Sequence, residues 1–234
     1  MKTEGYCPCC RRNATFASEF SWLRDHYCCS SCGSLPRNRH IQMALDSRFP
    51  GWEAMDLHES SPTYPFFSQY APRYSYSAYF PDIQPGAKNV DGTRCETIEA
   101  LTFEDESFDV FITQDVMEHV FHPALALREI NRVLRPGGAH VFTAPKHKAL
   151  LQSVRRAELN ADGTINYLME AQYHGNPQGD GRALVTWDYG YDFERLMSEW
   201  CGGATVETLT TVDRARGIDA EFNEVFIIRK SRNA

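Results

Sequence analysis

Apolar and polar positions along the 234-residue chain switch between a helical and a strand period, and each switch marks an element. After a polar, cysteine-rich opening, Ile41, Ala44 and Leu45 form a helical stripe that Pro50-Gly51 ends. Trp52 to Leu57 predicts a short strand and His58-Glu59-Ser60-Ser61-Pro62 a polar turn. Tyr64-Pro65-Phe66-Phe67 then reads as a helix entry with proline near its first turn. Arg73 to Tyr79 is a second candidate strand, and residues 81–97, rich in Pro, Gly and Asp, predict a loop with room for a short helix. Ser107 to Thr113 is a near-continuous apolar run, the pattern of a strand covered on both faces. Pro123 opens a helix carrying Leu127, Ile130, Val133 and Leu134, Pro136-Gly137-Gly138 terminates it, and Ala139 to Ala144 is the next strand. A helix is expected over residues 147–158, and the stretch around Tyr173–Asp192 has little period of its own. Asp192 to Trp200 is an amphipathic helix stopped by Gly202-Gly203, and Ala204–Val212 with Glu224–Lys230 form a closing strand pair.

Strands alternating with helices predict an α/β fold, a parallel sheet with helices on both faces and a ligand site beyond the C-terminal strand ends. The loops after Leu57, Tyr79 and Thr113 are therefore the expected site. The unpatterned region after Lys146 is long enough to be a lid or binding loop.

Charge is uneven. Residues 1–50 carry seven Lys/Arg and four Asp/Glu, a balance of +3, whereas the whole chain is at −7. An acidic body argues against a nucleic-acid enzyme with a basic stripe. Arg11, Arg12, Arg37, Arg39 and His40 form the one basic cluster, and a solvated face is its simplest reading. No charged segment followed by an apolar one opens the chain and no run is long enough to cross a bilayer, so a soluble, reducing, cytoplasmic protein is expected.

That compartment bears on the cysteines. Cys7-Pro8-Cys9-Cys10 and Cys29-Ser30-Ser31-Cys32 are two CxxC pairs separated by eighteen residues, the spacing of a structural zinc ribbon with Cys7, Cys10, Cys29 and Cys32 as ligands. Cys9 and Cys28 are spare neighbours, and either could replace the adjacent ligand. Clustered core cysteines or two disulfides are the plainer alternatives, the latter disfavoured in a reducing compartment. Cys95 and Cys201 stand alone, as buried apolar residues do.

Three segments carry a family resemblance: Leu101-Thr102-Phe103-Glu104-Asp105-Glu106-Ser107-Phe108-Asp109-Val110, then Asp115-Val116-Met117-Glu118-His119-Val120, then Arg132-Val133-Leu134-Arg135-Pro136-Gly137-Gly138. In these motifs and their separations the chain resembles the class I S-adenosylmethionine-dependent methyltransferases (methyltransferase-11-like) over roughly residues 52–146, and its cysteine-rich opening is similar to the ribbon that precedes some of them. The resemblance implies a Rossmann-like seven-stranded sheet closed by an antiparallel hairpin. It divides the chain into a zinc-ribbon module, 1–40, and a methyltransferase domain, 41–234, with a lid or substrate insertion at about 147–192.

The resemblance also implies a cofactor site. His58, Glu59, Ser60 and Ser61 stand where the family has an acid and a Gly-x-Gly turn against the methionine moiety. Ser77 and Tyr79 stand where an acid usually grips the ribose, so the grip here is neutral or comes from Glu59. Glu96, Thr97 and Ile98 match the segment at the adenine edge, and Gln114 and Asp115 border the sulfonium. His119 matches a histidine near the transferring methyl, while His174, in Tyr173-His174-Gly175-Asn176-Pro177, and Asp188 are candidates to take a proton from the acceptor. The implied cofactors are S-adenosylmethionine and structural zinc, and the implied partner is a small-molecule or glycan substrate methylated on oxygen or nitrogen. The alternatives are ribosomal RNA gripped through the ribbon and a binding protein without turnover. No membrane partner is expected.

Overall fold

The computed structural model describes residues 1–175 and 181–232, so Asn176 and Pro177 of the histidine motif lie outside the described residues. The chain opens with three short antiparallel strands, β1 (Lys2–Cys7), β2 (Arg12–Ala17) and β3 (Cys28–Cys29), with one helical turn, α1 (Leu23–His26), before β3. Helix α2 (Pro36–Arg48) follows, its start fixed by proline in the first turn and by Asn38 Oδ1 accepting from the Leu35 N–H at 2.8 Å. The expected module boundary at residue 40 falls inside this helix.

The main sheet comprises β4 (Leu57–Ser60), β5 (Tyr74–Ala78), β6 (Arg94–Cys95), β7 (Phe108–Gln114) and β8 (Leu134–Thr143), with α3 (Pro123–Val133) between the last two. Then come four short strands, β9 (Val154–Arg155), β10 (Ala157–Leu159), β11 (Ile165–Tyr167) and β12 (Tyr173–Gly175), followed by β13 (Arg182–Leu184) and β14 (Trp187–Asp188). Helix α4 (Phe193–Trp200), β15 (Val206–Leu209) and β16 (Val225–Arg229) complete the order. The seven strands lie β15-β16-β8-β7-β4-β5-β6, with β4 to β8 parallel and β16 antiparallel to both of its neighbours. This is the expected Rossmann-like methyltransferase sheet.

Strand alternation assigns each face its layer. Val110, Ile112, Val141 and Ile227 pack with Ile41, Leu45 and Trp52 on the α2 side. Phe111, Phe142 and Phe226 pack with Ile130, Val133, Phe193 and Met197 on the α3–α4 side. No helix among the described residues is long and apolar enough to cross a membrane.

Several expectations change. Trp52–Ala54 is a 3-10 turn, not a strand, because Gly51 at φ +76° reverses the chain and the Trp52 indole donates to Asp46 Oδ1 at 2.8 Å. The strand begins at Leu57 and absorbs His58, Glu59 and Ser60, all buried, so the polar turn starts only at Ser61. The entry at Tyr64-Pro65 leads to a 3-10 turn, Phe66–Gln69, and among the described residues no α-helix follows β4, β5 or β6. Helix α3 stops at Val133, ahead of Pro136-Gly137-Gly138, and those residues lie within β8. Gly138 is needed there, since a Cβ would meet Asp109 O at 2.8 Å.

The helix expected over 147–158 is replaced by bends and the strands β9 and β10, because Asp192 Oδ1 accepts from both the N–H and Oγ of Ser153 at 2.7 Å and β9 pairs with β14. The supposed basic face is also internal in part: Arg39 and His40 are fully buried. Arg11 pairs with Glu53, and Arg37 with Asp25.

Candidate thiolate cluster and cofactor site

Cys7 at the end of β1 and Cys29 on β3 face Cys10 and Cys32 in the two turns, and the four sulfurs all lie within 4.8 Å of one another. Cys7 Sγ and Cys32 Sγ are 3.7 Å apart. Four thiolates around zinc at about 2.3 Å have edges of about 3.8 Å, so the set fits a tetrahedral ion and leaves no position for water. Cys9 and Cys28 are outside this set. The cluster already shares charge: the contact with Cys32 holds the Cys7 thiol well below its ordinary range, while burial and the Cys7 charge push Cys10 up to about 11. Four such sulfurs cannot all ionise without a cation among them.

Around the sulfurs, Ser34 Oγ lies 3.4 Å from Cys7 Sγ and accepts from Cys32 Sγ at 3.2 Å. The buried Arg39 guanidinium sits close enough to feel the thiolates and is fastened to the carbonyls of Tyr27, Ser34 and Gly217. It offsets the negative charge such a cluster carries when metallated. Gly217, at φ +67°, is required here, because a Cβ would meet the Phe16 ring at 2.6 Å and the Arg39 Nε at 2.8 Å.

At the strand tips, Ser60 lies level with Ser77 on one side and Thr113 on the other. The His58 ring is clasped between Ser75 Oγ and Ser77 Oγ, each at 2.9 Å, and packs on Phe103, Phe108 and Phe111. Burial drops its pKa to about 3, so it is neutral. Ser77 is thereby committed to a ring in the core, and Tyr79, exposed, supplies the free-standing hydroxyl at the β5 tip.

Glu59 is fully buried, accepts from Tyr74 Oη and Gln114 Nε2 at 2.6 Å each, and has its pKa pushed by burial to about 7. Gln114 Oε1 in turn accepts from Asn38 Nδ2 at 2.8 Å, which ties α2 to the tips. Ser61 takes φ +54° and donates its N–H to Ser77 O at 2.7 Å, a sharp reversal without glycine. Glu96 is held by Arg94 and Thr102, Ile98 is buried in the core, and Thr97 Oγ1 accepts from the Glu99 N–H at 3.4 Å.

Asp115, also at positive φ, receives Arg24 at 2.6 Å and Arg37 at 3.2 Å, both from the N-terminal segment, as well as a hydrogen bond from Thr143 Oγ1. These arginines hold its carboxylate below the usual range against the opposing effect of burial. Arg24 also donates to Phe222 O.

His119 and His174 come together, their rings 5.1 Å apart and edge to face. Each has a nitrogen 3.7 Å from Glu118 Oε1, and Glu118 raises the His174 pKa. Asp188 is elsewhere, held by Arg156 at 2.5 Å, with the His147 ring 3.9 Å away. The carboxylate beside His174 is therefore Glu118 and not Asp188. Sequence reasoning missed Glu118, Arg24, Arg37 and Asn38 as site residues. Apart from the fixed spacing of Glu118 and His119 within one motif, nothing local distinguishes them from ordinary surface polar groups.

Residues 67–142 match the model of a methyltransferase domain. An uncharacterized methyltransferase of Schizosaccharomyces pombe is 32% identical over 114 residues, which cover 46% of this chain and 40% of that protein. A ubiquinone biosynthesis O-methyltransferase of Parvibaculum lavamentivorans is 42% identical over 57 residues, 24% of this chain and 22% of that one. The chain thus spans less than half the length of either relative. Among solved structures, an S-adenosylmethionine dependent methyltransferase from Mesorhizobium loti superposes with a TM-score of 0.52 at 14% identity, covering 82% of this chain and 98% of that one.

Proposed function

We propose, from the premise that this sheet is the Rossmann-like methyltransferase fold and that residues 67–142 carry its domain pattern, that the chain transfers a methyl group from S-adenosylmethionine to an oxygen or nitrogen of a small molecule or glycan. The observation that carries the reading is the constellation at the C-terminal strand tips. There a sharp reversal at Ser61, an open Tyr79 hydroxyl, Gln114 and Asp115 stand at the carboxyl ends of the strands, the end at which ligands of such sheets bind.

When bound, the cofactor supplies a methyl already activated on a positively charged sulfur, so the protein needs mainly to orient two reactants and exclude water. Ser60 and Ser61 would face the amino-acid end, Tyr79 the ribose, and Thr97 with Ile98 the adenine edge. Gln114 and Asp115 would border the sulfur. The Asp115 carboxylate stays ionised but its charge is met by Arg24 and Arg37, so its part there is to fix that edge, and Glu59 sets the Gln114 side chain through a charge-capable hydrogen bond. His119 and His174 are assigned to the acceptor, whose proton must leave as the methyl arrives. The four thiolates are assigned to structural zinc, since their closed set offers no open position.

A small polar acceptor is favoured over RNA because Arg11, Arg37 and Arg39 are engaged within the protein. The second reading, a binding protein without turnover, is favoured by the engagement of Ser77 with His58 and by the absence, among the described residues, of an α-helix between β4 and β5. Calorimetric titration with S-adenosylmethionine and with S-adenosylhomocysteine tests the first claim. Saturable heat is expected, and no heat or thermal shift at millimolar ligand would refute it. Release of S-adenosylhomocysteine in the presence of candidate acceptors separates turnover from binding. Activity falling steeply with salt through Arg12 would instead support RNA.

A further inference from the structure

Glu118 is 1% exposed, and neither of its carboxylate oxygens has a hydrogen-bond partner among the described residues. Burying a carboxylate with both oxygens unanswered is strongly unfavourable, so something must meet it. The two nearest groups are His119 Nε2 and His174 Nδ1, each 3.7 Å from Oε1, too long for a hydrogen bond. All three donor atoms lie within 4.8 Å of one another. We propose that Glu118, His119 and His174 form a second metal centre, separate from the thiolate cluster, for a divalent ion of the zinc, cobalt or iron(II) type with open positions for an oxygen ligand.

The chemistry of the donors selects that class of ion. Two imidazole nitrogens and one carboxylate suit borderline divalent metals and not calcium or magnesium, which prefer all-oxygen shells. Ligands about 2.0–2.1 Å from such an ion stand about 3.0–3.4 Å apart, so each 3.7 Å Glu118–imidazole spacing must shorten by a few tenths of an ångström, and the two imidazole nitrogens, within 4.8 Å of each other, must close to the same range. The surroundings already orient the donors. His119 Nδ1 lies 2.8 Å from Leu184 O, and donating its proton to that carbonyl leaves the Nε2 lone pair toward Glu118. Leu184 is on β13, which pairs with β12, so the hairpin that aims His119 also delivers His174. Thr186 holds the Glu118 backbone, its N–H and Oγ donating to Glu118 O at 2.8 and 3.0 Å.

The charged groups alongside are compatible. Arg24 approaches this cluster, but its guanidinium is bound to Asp115 at 2.6 Å and to Phe222 O. Glu118 is deep and His174 is over a third exposed, so an ion seated between them would be reached from solvent. The site lies in the segment that follows β7, beside the strand tips. A hydroxyl oxygen bound to the ion there would be acidified by it. The ion-binding claim stands apart from methyl transfer; with both imidazoles on the ion they act on the acceptor through it and not as free bases, and only this role for the acceptor rests on that reading.

The test is metal stoichiometry and spectroscopy on the full chain. Wild type equilibrated with zinc should hold about two ions per chain, and His174→Ala, on an outer hairpin, about one. Glu118→Gln should behave like His174→Ala. With cobalt, the first equivalent should show the intense near-ultraviolet band of thiolate ligation. The second should show only weak visible bands, and His174→Ala should abolish that second set alone. A single equivalent in wild type, or a second equivalent unchanged in His174→Ala, would overturn the proposal. S-adenosylmethionine titration of His174→Ala reports on the cofactor reading independently of either result.

Discussion

Replacing Glu59 by glutamine should reverse the order of stability of the two proteins between acid and mildly alkaline solution. The carboxyl is fully buried, and its two hydrogen bonds from Tyr74 and Gln114 favour the ionised form without overcoming burial, so the pKa rises from 4.5 to about 7. The folded state therefore holds the proton more tightly than the unfolded chain. The stability this contributes is complete below pH 4.5 and is lost as pH rises through about 7. A rise of this size corresponds to about 3 kcal/mol across the window. Glutamine has no proton to lose, but it mismatches one hydrogen bond at a constant cost of about 1 kcal/mol. Urea denaturation should find wild type more stable by about 1 kcal/mol near pH 3.5 and Glu59→Gln more stable by about 2 kcal/mol near pH 8. A difference between the two proteins that stays flat with pH, or that moves toward wild type as pH rises, would refute the reasoning.

Other residues give further expectations. Cys7→Ser should reduce thiolate-bound zinc from about one per chain to none and loosen β1–β3, read by elemental analysis and limited proteolysis. Arg24→Ala should destabilise the fold by about 3 kcal/mol, because it strips the closest partner from a mostly buried carboxylate, and a cycle with Asp115→Asn should recover much of that loss in denaturant melts. His140 is stacked on Phe142 at 4.2 Å and has a pKa lowered by burial to about 3, so the stability it contributes is present above pH 6.5 and lost as pH falls through about 3. His140→Phe should flatten that acid limb in thermal melts. Gly138→Ala should cost about 2 kcal/mol in the same assay, since its Cβ would press on the carbonyls of Asp109 and Arg135 at 2.8 and 2.9 Å.

The sheet was legible where burial is apolar. Phe108 to Gln114 reads as a buried strand because Val110, Phe111 and Ile112 need no partner beyond one another and the adjacent layers. Strand β4 was misread because His58 and Glu59 are polar yet buried, and the groups that satisfy them, Ser75, Ser77, Tyr74 and Gln114, lie on other strands. A local pattern cannot register a partner 55 positions away. The same holds for residues 147–158, whose helical period yields to the Ser153–Asp192 hydrogen bonds and the β9–β14 pairing.

In the site, the four thiols were legible because a metal clip imposes its own spacing on the chain. The grouping of Glu118 with His174 was not, since it is made by the β12–β13 hairpin folding back over the segment after β7. The expected pairing of His174 with Asp188 failed for the converse reason. Nearness in sequence put them together, and Arg156 draws Asp188 away in space.

The clamp of Arg24 and Arg37 on Asp115 makes the two parts of this molecule poor candidates for exchange. A chain trimmed to begin at α2, or fitted with an unrelated ribbon, would keep Arg37 but leave the carboxylate at its most sensitive edge without the nearer cation, Arg24. Designers who treat the opening segment as a detachable tag would find the strand tips altered with it, and any graft would have to supply a cation in the place of Arg24.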